Sequence, residues 1–137
     1  MNRNEILENR KKVIEFLKDS RRKKCIGKLE DSQDSEKRCC LGHMCAALNV
    51  PRMVLNNDVL YDGKTTFIPE SAMQLIGLYS HAGGSPTGLI IYGQYYHTLV
   101  TINDTSTTSP QKIGEYLESV IKGGPNTPWK SLDEYKD

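Results

Sequence analysis

The sequence predicts a single α+β domain, with three or four helices packed on a small antiparallel sheet. Three observations carry this expectation. Apolar residues recur at helical spacing near both ends of the chain. The stretches between are rich in β-branched and aromatic residues and are broken by turn signals. A length of 137 residues is enough for one domain and short of two separate cores. Residues 1–124 are read as that domain, and residues 125–137 as a loosely packed tail with Trp129 as its one anchor.

The elements follow in order. Asn2 and Glu5 have capping-box spacing, and Ile6, Leu7, Val13, Ile14 and Leu17 recur behind them, which predicts a helix over 4–19. Residues 25–29 alternate weakly and read as a short strand. Residues 30–37 hold no apolar residue and read as a polar loop. Leu41, Cys45 and Leu48 share one helical face over 40–48, where Gly42 lets another backbone come close. Residues 59–67 read as a hairpin turning at Asp62-Gly63. Pro69 is expected to open a helix running to about Tyr79. Residues 80–88 read as a mobile Gly-rich loop, followed by strands at 89–92 and 95–102 with Gly93-Gln94 between them. Ser109-Pro110 caps and opens a helix through Ile113, Tyr116, Leu117, Val120 and Ile121, and Gly123-Gly124 stops it.

Composition narrows the function classes. Hydrophobic residues make up 37% of the chain and the mean hydropathy is −0.53, so the core is small and the surface polar. No apolar run approaches the ~18 residues of a membrane span, and no apolar stretch follows the first five residues as a secretory signal would. The expectation is a cytoplasmic protein with no membrane partner. Net charge is +1 but uneven. Residues 1–38 hold 12 Lys/Arg against 8 Asp/Glu, and residues 39–137 hold 6 against 9. The densest basic stretch, Arg21-Arg22-Lys23-Lys24, is suited to a phosphate, although a solvated face is the plainer reading. Cys25, Cys39, Cys40 and Cys45 read as reduced packing residues.

An ordered series of short motifs runs through the chain. Cys39-Cys40-Leu41-Gly42 comes first, then Ile68-Pro69 leading to Leu75-Ile76-Gly77-Leu78. Leu99 to Ile102-Asn103-Asp104 follows, and then Ile113 to Leu117-Glu118. The series resembles a group of small phage and prophage proteins. Their pattern runs Cys-Cys-Leu-Gly, a Leu-Pro-led helix ending Leu-Gly-Leu, Leu-Asn-Asp, and an Ile-Ala-Asp-x-Ile-Glu helix. The resemblance covers about residues 38–121. It departs at 80–98, which is expanded and tyrosine-rich, and at 106–109, where Ser-Thr-Thr-Ser replaces Gly-x-Ser-Phe. It implies a phage-type accessory protein acting in an infected bacterial host, where such proteins grip a defence protein or sequester a nucleotide signal, and it brings no mechanism with it.

Three catalytic or binding chemistries have partial signatures in the residues. A cysteine hydrolase would use Cys40 at a helix amino end with His97 as its base, but Asn103 lies about 20 Å from His97 along a strand or about 9 Å along a helix. A zinc site would draw on Cys39, Cys40 and His43, yet no Cys-x-x-Cys knuckle exists, and neither metal nor cofactor is expected. Gly83-Gly84-Ser85 lacks the Lys-Ser/Thr of a phosphate loop. What remains is tyrosine, with seven Tyr against two Phe and one Trp. Tyr92, Tyr95 and Tyr96 cluster beside His97 and suit a stacked base. The expected ligand-binding set is therefore Tyr92, Tyr95, His97, Thr101, Asn103, Asp104, Arg21 and Arg22. Its ligand is a nucleotide-type small molecule, with a host protein as the other partner class and a homo-oligomer as an open alternative to a monomer. On a strand, Tyr95 and His97 would share the ligand face, while Tyr96, Val100 and Ile102 would face the core. A nucleic-acid-binding module using residues 10–24 is the remaining reading.

Overall fold

Asn2 opens α1 (Arg3–Lys18) with a full capping box, its side chain accepting the Glu5 N–H at 2.9 Å while Glu5 accepts the Asn2 N–H. The computed structural model describes all 137 residues. The buried face of α1 is Ile6, Arg10, Val13, Ile14 and Leu17. It packs against α2 (Cys40–Ala47), α3 (Glu70–Ile76) and α5 (Pro110–Ser119). Gly114 is the closest approach of α5, where an added Cβ would lie 3.1 Å from Leu17 Cβ. Gly42 does the same for α2, whose backbone sits directly against the Leu29 carbonyl.

The sheet is three small pieces. In the first, β3 (Asp34–Arg38) lies between β1 (Lys23–Lys24), parallel to it, and β2 (Glu30–Asp31), antiparallel. The strand expected over 25–29 and the polar loop expected over 30–37 are thereby corrected. β3 is exposed or half-buried along its length, so it forms without the apolar alternation that marks a strand in sequence. Glu30 is the exception. Its carboxylate is buried and accepts hydrogen bonds from Arg38, Arg52 and the Tyr61 hydroxyl, tying this sheet to the next.

The second sheet pairs β4 (Arg52–Leu55) with β5 (Asp58–Tyr61). Their turn is Asn56-Asn57, at φ 52° and 67°, the left-handed pair that a two-residue hairpin requires. The hairpin thus lies one strand earlier than expected. Asp62-Gly63 also turns, at φ 48° and 80°, but closes only a Tyr61–Lys64 bridge. α3 is shorter than expected because Gly77, in the left-handed region at φ 68°, stops it, and Pro69 is its cap and not its first residue.

The third sheet pairs β6 (Gly84–Ile91) with β7 (Gln94–Thr98). Half of the expected 80–88 loop is therefore strand. The expected strand 95–102 stops at Thr98, whose Oγ1 accepts the Thr101 N–H at 3.3 Å and caps a short helix, α4 (Leu99–Asn103). Leu99, Ile102 and Asn103 are buried at i, i+3 and i+4. Burial on a helical period overrides the β-branched character of Val100-Thr101-Ile102.

Residues 125–137 are not loosely packed. Trp129 is fully buried, with its indole N–H donating to the Leu117 carbonyl at 3.2 Å. Tyr79 N–H donates to Pro128, Lys130 N–H to Gly77, and Arg3 N–H to Lys136. Leu132, in a 3₁₀ turn at Leu132–Glu134, is buried too. The tail is held by backbone bonds that its composition does not advertise. At the junction Arg10 is fully buried, donating to the Ile76, Ile121 and Lys130 carbonyls with its guanidinium 4.9 Å from the Trp129 ring.

Candidate functional site

Ser109 caps α5 by accepting the Lys112 N–H, with Pro110 at the first turn. The helix therefore starts beside the β6–β7 hairpin, and a cavity of about 160 Å³ lies between them. Ile91 from β6, Ile102 from α4 and Ile113 from α5 make its apolar floor. Tyr92 and Tyr96 come from the hairpin, and Tyr116 stands one turn beyond Ile113. Thr107, Thr108 and Lys112 complete it, so Lys112 is the only charged residue in its wall.

Two features of this wall are unusual. The Tyr116 hydroxyl is buried and has no hydrogen-bond partner. Burial pushes its phenol up to about 12, so at neutral pH it stays protonated and is a donor without an acceptor. Tyr92 adopts φ 49° in the turn between β6 and β7 while 82% exposed. Asn or Gly fits that position with little strain, and a bulky aromatic there is held at a cost. A larger hollow of about 800 Å³ runs past Gln74, Tyr79, His81, Lys130 and Tyr135, but no buried polar side-chain atom in it lacks a partner. The smaller cavity is distinguished by its three lining tyrosines, Tyr92, Tyr96 and Tyr116.

Of the expected ligand-binding set, only Tyr92 lines this cavity, joined by Tyr96 of the same tyrosine cluster. Tyr95 and His97 alternate with Tyr96 along β7 and so point to the other side. There the Tyr95 ring covers the backbone of Gly88 and meets the His97 ring edge-on at 5.3 Å. Ile102 lies in the core as expected, with Tyr96 and Val100 packed against it, but it is the side of Tyr96 and Ile102, not that of Tyr95 and His97, that lines the cavity. Thr101 serves the Thr98 cap. Asn103 is buried and structural, accepting the Cys40 N–H and donating to the Cys25 carbonyl, both at 3.0 Å, and it also donates to Asp104. Arg21 pairs with Asp19 at 2.7 Å. Arg22 stacks on Phe16 at 3.5 Å and donates to its carbonyl. Neither arginine lines the cavity, because both are consumed in closing the end of α1. Gln111 nevertheless ties their segment to the start of α5 by donating to the Asp19 and Arg22 carbonyls.

The cysteine hydrolase reading is corrected. Cys40 is fully buried with its thiol toward the Leu99 carbonyl, whereas His97 is exposed and faces Tyr95. Burial pushes the Cys40 thiol well above its ordinary value and Cys39 up to about 12, the opposite of what a thiolate nucleophile needs. His43 is buried, its Nε2 donating to the Lys23 carbonyl at 2.7 Å, and burial lowers it to about 4. No group of three or more His, Cys, Asp or Glu side chains is arranged to hold a metal ion.

Nothing in the sequence marks Tyr116, Lys112 or the Thr107-Thr108 pair as site residues. Tyr116 sits at a core position of the clearest amphipathic helix, and nothing in its spacing marks an unpartnered hydroxyl. No protein-family model matches the chain, no curated protein matches it, and no solved structure does.

Proposed function

We propose that this protein is a non-catalytic binder that takes the aromatic ring system of a nucleotide-type small molecule into the Tyr92–Tyr96–Tyr116 cavity. The observation that carries the reading is the lining of the cavity, where three tyrosines, Tyr92, Tyr96 and Tyr116, surround a floor of Ile91, Ile102 and Ile113. A flat heterocycle presents its faces to tyrosine rings, which stack bases without demanding one sequence. The strained, exposed Tyr92 adds support, as a ring kept at a turn position that disfavours it. In the phage setting implied by the motif series, the ligand is a host defence signal and binding withdraws it from its receptor.

The test is mass spectrometry of small molecules released by heat from protein purified from bacterial cells, together with titration of stripped protein with nucleosides. A bound heterocycle, lost in Tyr92→Ala/Tyr96→Ala while the circular dichroism is kept, is the expected result. A stripped protein that binds no nucleoside or nucleotide would sink the proposal.

A second reading, the blocking of a host protein, is favoured by β4. Met53, Val54 and Leu55 are each more than half exposed there on a two-stranded sheet, an arrangement natural sheets usually cover or charge.

A further inference from the structure

We infer that the larger hollow, between α3 and residues 130–135, is a second binding site, for a small organic anion whose carboxylate or phosphate is held by Lys130, Tyr79 and Tyr135. At about 800 Å³ it falls within the ~300–1,000 Å³ of small-molecule pockets. It shares no lining residue with the Tyr92–Tyr96–Tyr116 cavity, so the two sites stand independently.

Charge is sorted along the hollow. Glu70 begins α3, whereas Gly77, Leu78 and Tyr79 follow its carboxyl end, about 10 Å further along the axis. Glu70 is the one carboxylate in the lining and is already engaged, by Gln74 Nε2 at 3.2 Å and with His81 Nε2 3.5 Å away. The other end offers donors. Lys130, Tyr79 and Tyr135 are half-buried there. Burial raises both phenols, so both keep their protons at neutral pH, and neither hydroxyl is held by a hydrogen bond.

A full charge lies beneath this end. Arg10 is completely buried and is held by the Ile76, Ile121 and Lys130 carbonyls, with no carboxylate against it. Gly77 is the thin floor between Arg10 and the hollow. A Cβ there would collide with the Tyr135 hydroxyl and lie 2.8 Å from Arg10 Nη2, so the bare backbone lets both reach one point of the wall. The Arg10 charge acts on both phenols, opposed by the exposed Glu134. Carbonyl dipoles orient a guanidinium but leave its net charge, and a charge in a low-dielectric wall projects into the adjoining cleft. An anion at the Gly77 end is the counter-ion that the interior does not supply. Met73 and Leu78, both buried, line the hollow as well, which suits an anion carried on an apolar body.

The experiment is NMR titration of the full chain with phenyl phosphate and with benzoate, each against benzyl alcohol, a neutral molecule of similar size. At least one anion should bind roughly tenfold tighter than the alcohol, as one charge-assisted contact gives. The amide shifts should centre on residues 77–80 and 130–135, and whichever anion binds tighter separates phosphate from carboxylate. Lys130→Gln should remove most of the preference and leave benzyl alcohol unaffected, and Tyr79→Phe/Tyr135→Phe should weaken the anion while keeping the melting temperature. Part of the preference should survive high salt, since a buried charge is screened less than an exposed one. A preference lost completely at high salt overturns the part given to Arg10. A preference intact in Lys130→Gln and in the double tyrosine variant overturns the assignment to those side chains. Equal affinity for anions and alcohol, shifts centred elsewhere, or no binding of any of the three overturns the site.

Discussion

The side-chain oxygen of Asn103 accepts the backbone N–H of Cys40 at 3.0 Å, joining the end of α4 to the start of α2 across 63 residues. The amide nitrogen of the same side chain donates to the Cys25 carbonyl at 3.0 Å. One buried amide thus satisfies the amino end of α2, where the Cys39 cap offers no side-chain bond.

Removing that amide strands a donor and an acceptor in the interior. Asn103→Ala should lower the unfolding free energy by about 2–4 kcal/mol. Asn103→Asp should fall short of the parent as well, since it keeps the acceptor but loses the donor and sets a carboxylate beside Asp104. Urea denaturation measures both, and an unchanged midpoint for Asn103→Ala would exclude the structural role.

Tyr116→Phe should act in the opposite direction on stability. The hydroxyl makes no hydrogen bond in the ligand-free protein, so its removal relieves a desolvated donor and should raise stability by roughly 1 kcal/mol. The same variant should keep its nucleoside affinity, because the hydroxyl is closed off from the cavity and the ring is retained. Thermal melts and titrations of the one variant give both readouts. A destabilised Tyr116→Phe would mean that the hydroxyl has a partner after all.

His43 makes stability depend on pH. Burial lowers its imidazole to about 4, outweighing the Lys23 carbonyl that favours the charged ring, and the nearby Arg38 and Arg22 lower it further. The unfolded imidazole titrates near ~6.5. Between these two values the unfolded chain binds a proton that the folded chain refuses. Stability is therefore full above about pH 6.5 and declines as pH falls toward about 4, by on the order of 3 kcal/mol in all. His43→Gln should flatten the slope in that window, whatever its effect at neutral pH. Chemical denaturation at a series of pH values decides it.

All four cysteines are free and buried. Aromatic disulfide reagents should label the native protein slowly at Cys39, Cys40 and Cys45 and rapidly after unfolding. Rapid labelling of Cys40 alone at neutral pH, located by mass spectrometry, would contradict its burial.

What the sequence determined by itself is local. The α+β class follows from short-range signals, as do helices at Arg3–Lys18, Cys40–Ala47 and Pro110–Ser119. A cap, a proline and a 3.6-residue apolar period act within a few residues of one another, and each is written in adjacent letters. Tyrosine enrichment likewise pointed to the hairpin that carries Tyr92 and Tyr96. Tertiary structure decided whatever depends on a partner far along the chain. Arg10 reads as one more charge on an amphipathic helix, yet its guanidinium is buried beneath three carbonyls from 66 to 120 residues away. Glu30 lies in a stretch without an apolar letter, and only the approach of Arg52 and Tyr61 makes it a buried anchor. Residues 99–103 have strand-forming side chains but became helix, because Leu99, Ile102 and Asn103 could reach the core together only on a helical period. The cavity is the extreme case. Its walls come from β6, β7, α4, the loop at Thr107-Thr108 and α5, and the Tyr116 hydroxyl became an unpartnered donor only when those elements closed around it, since a missing hydrogen bond is a property of everything that surrounds an atom.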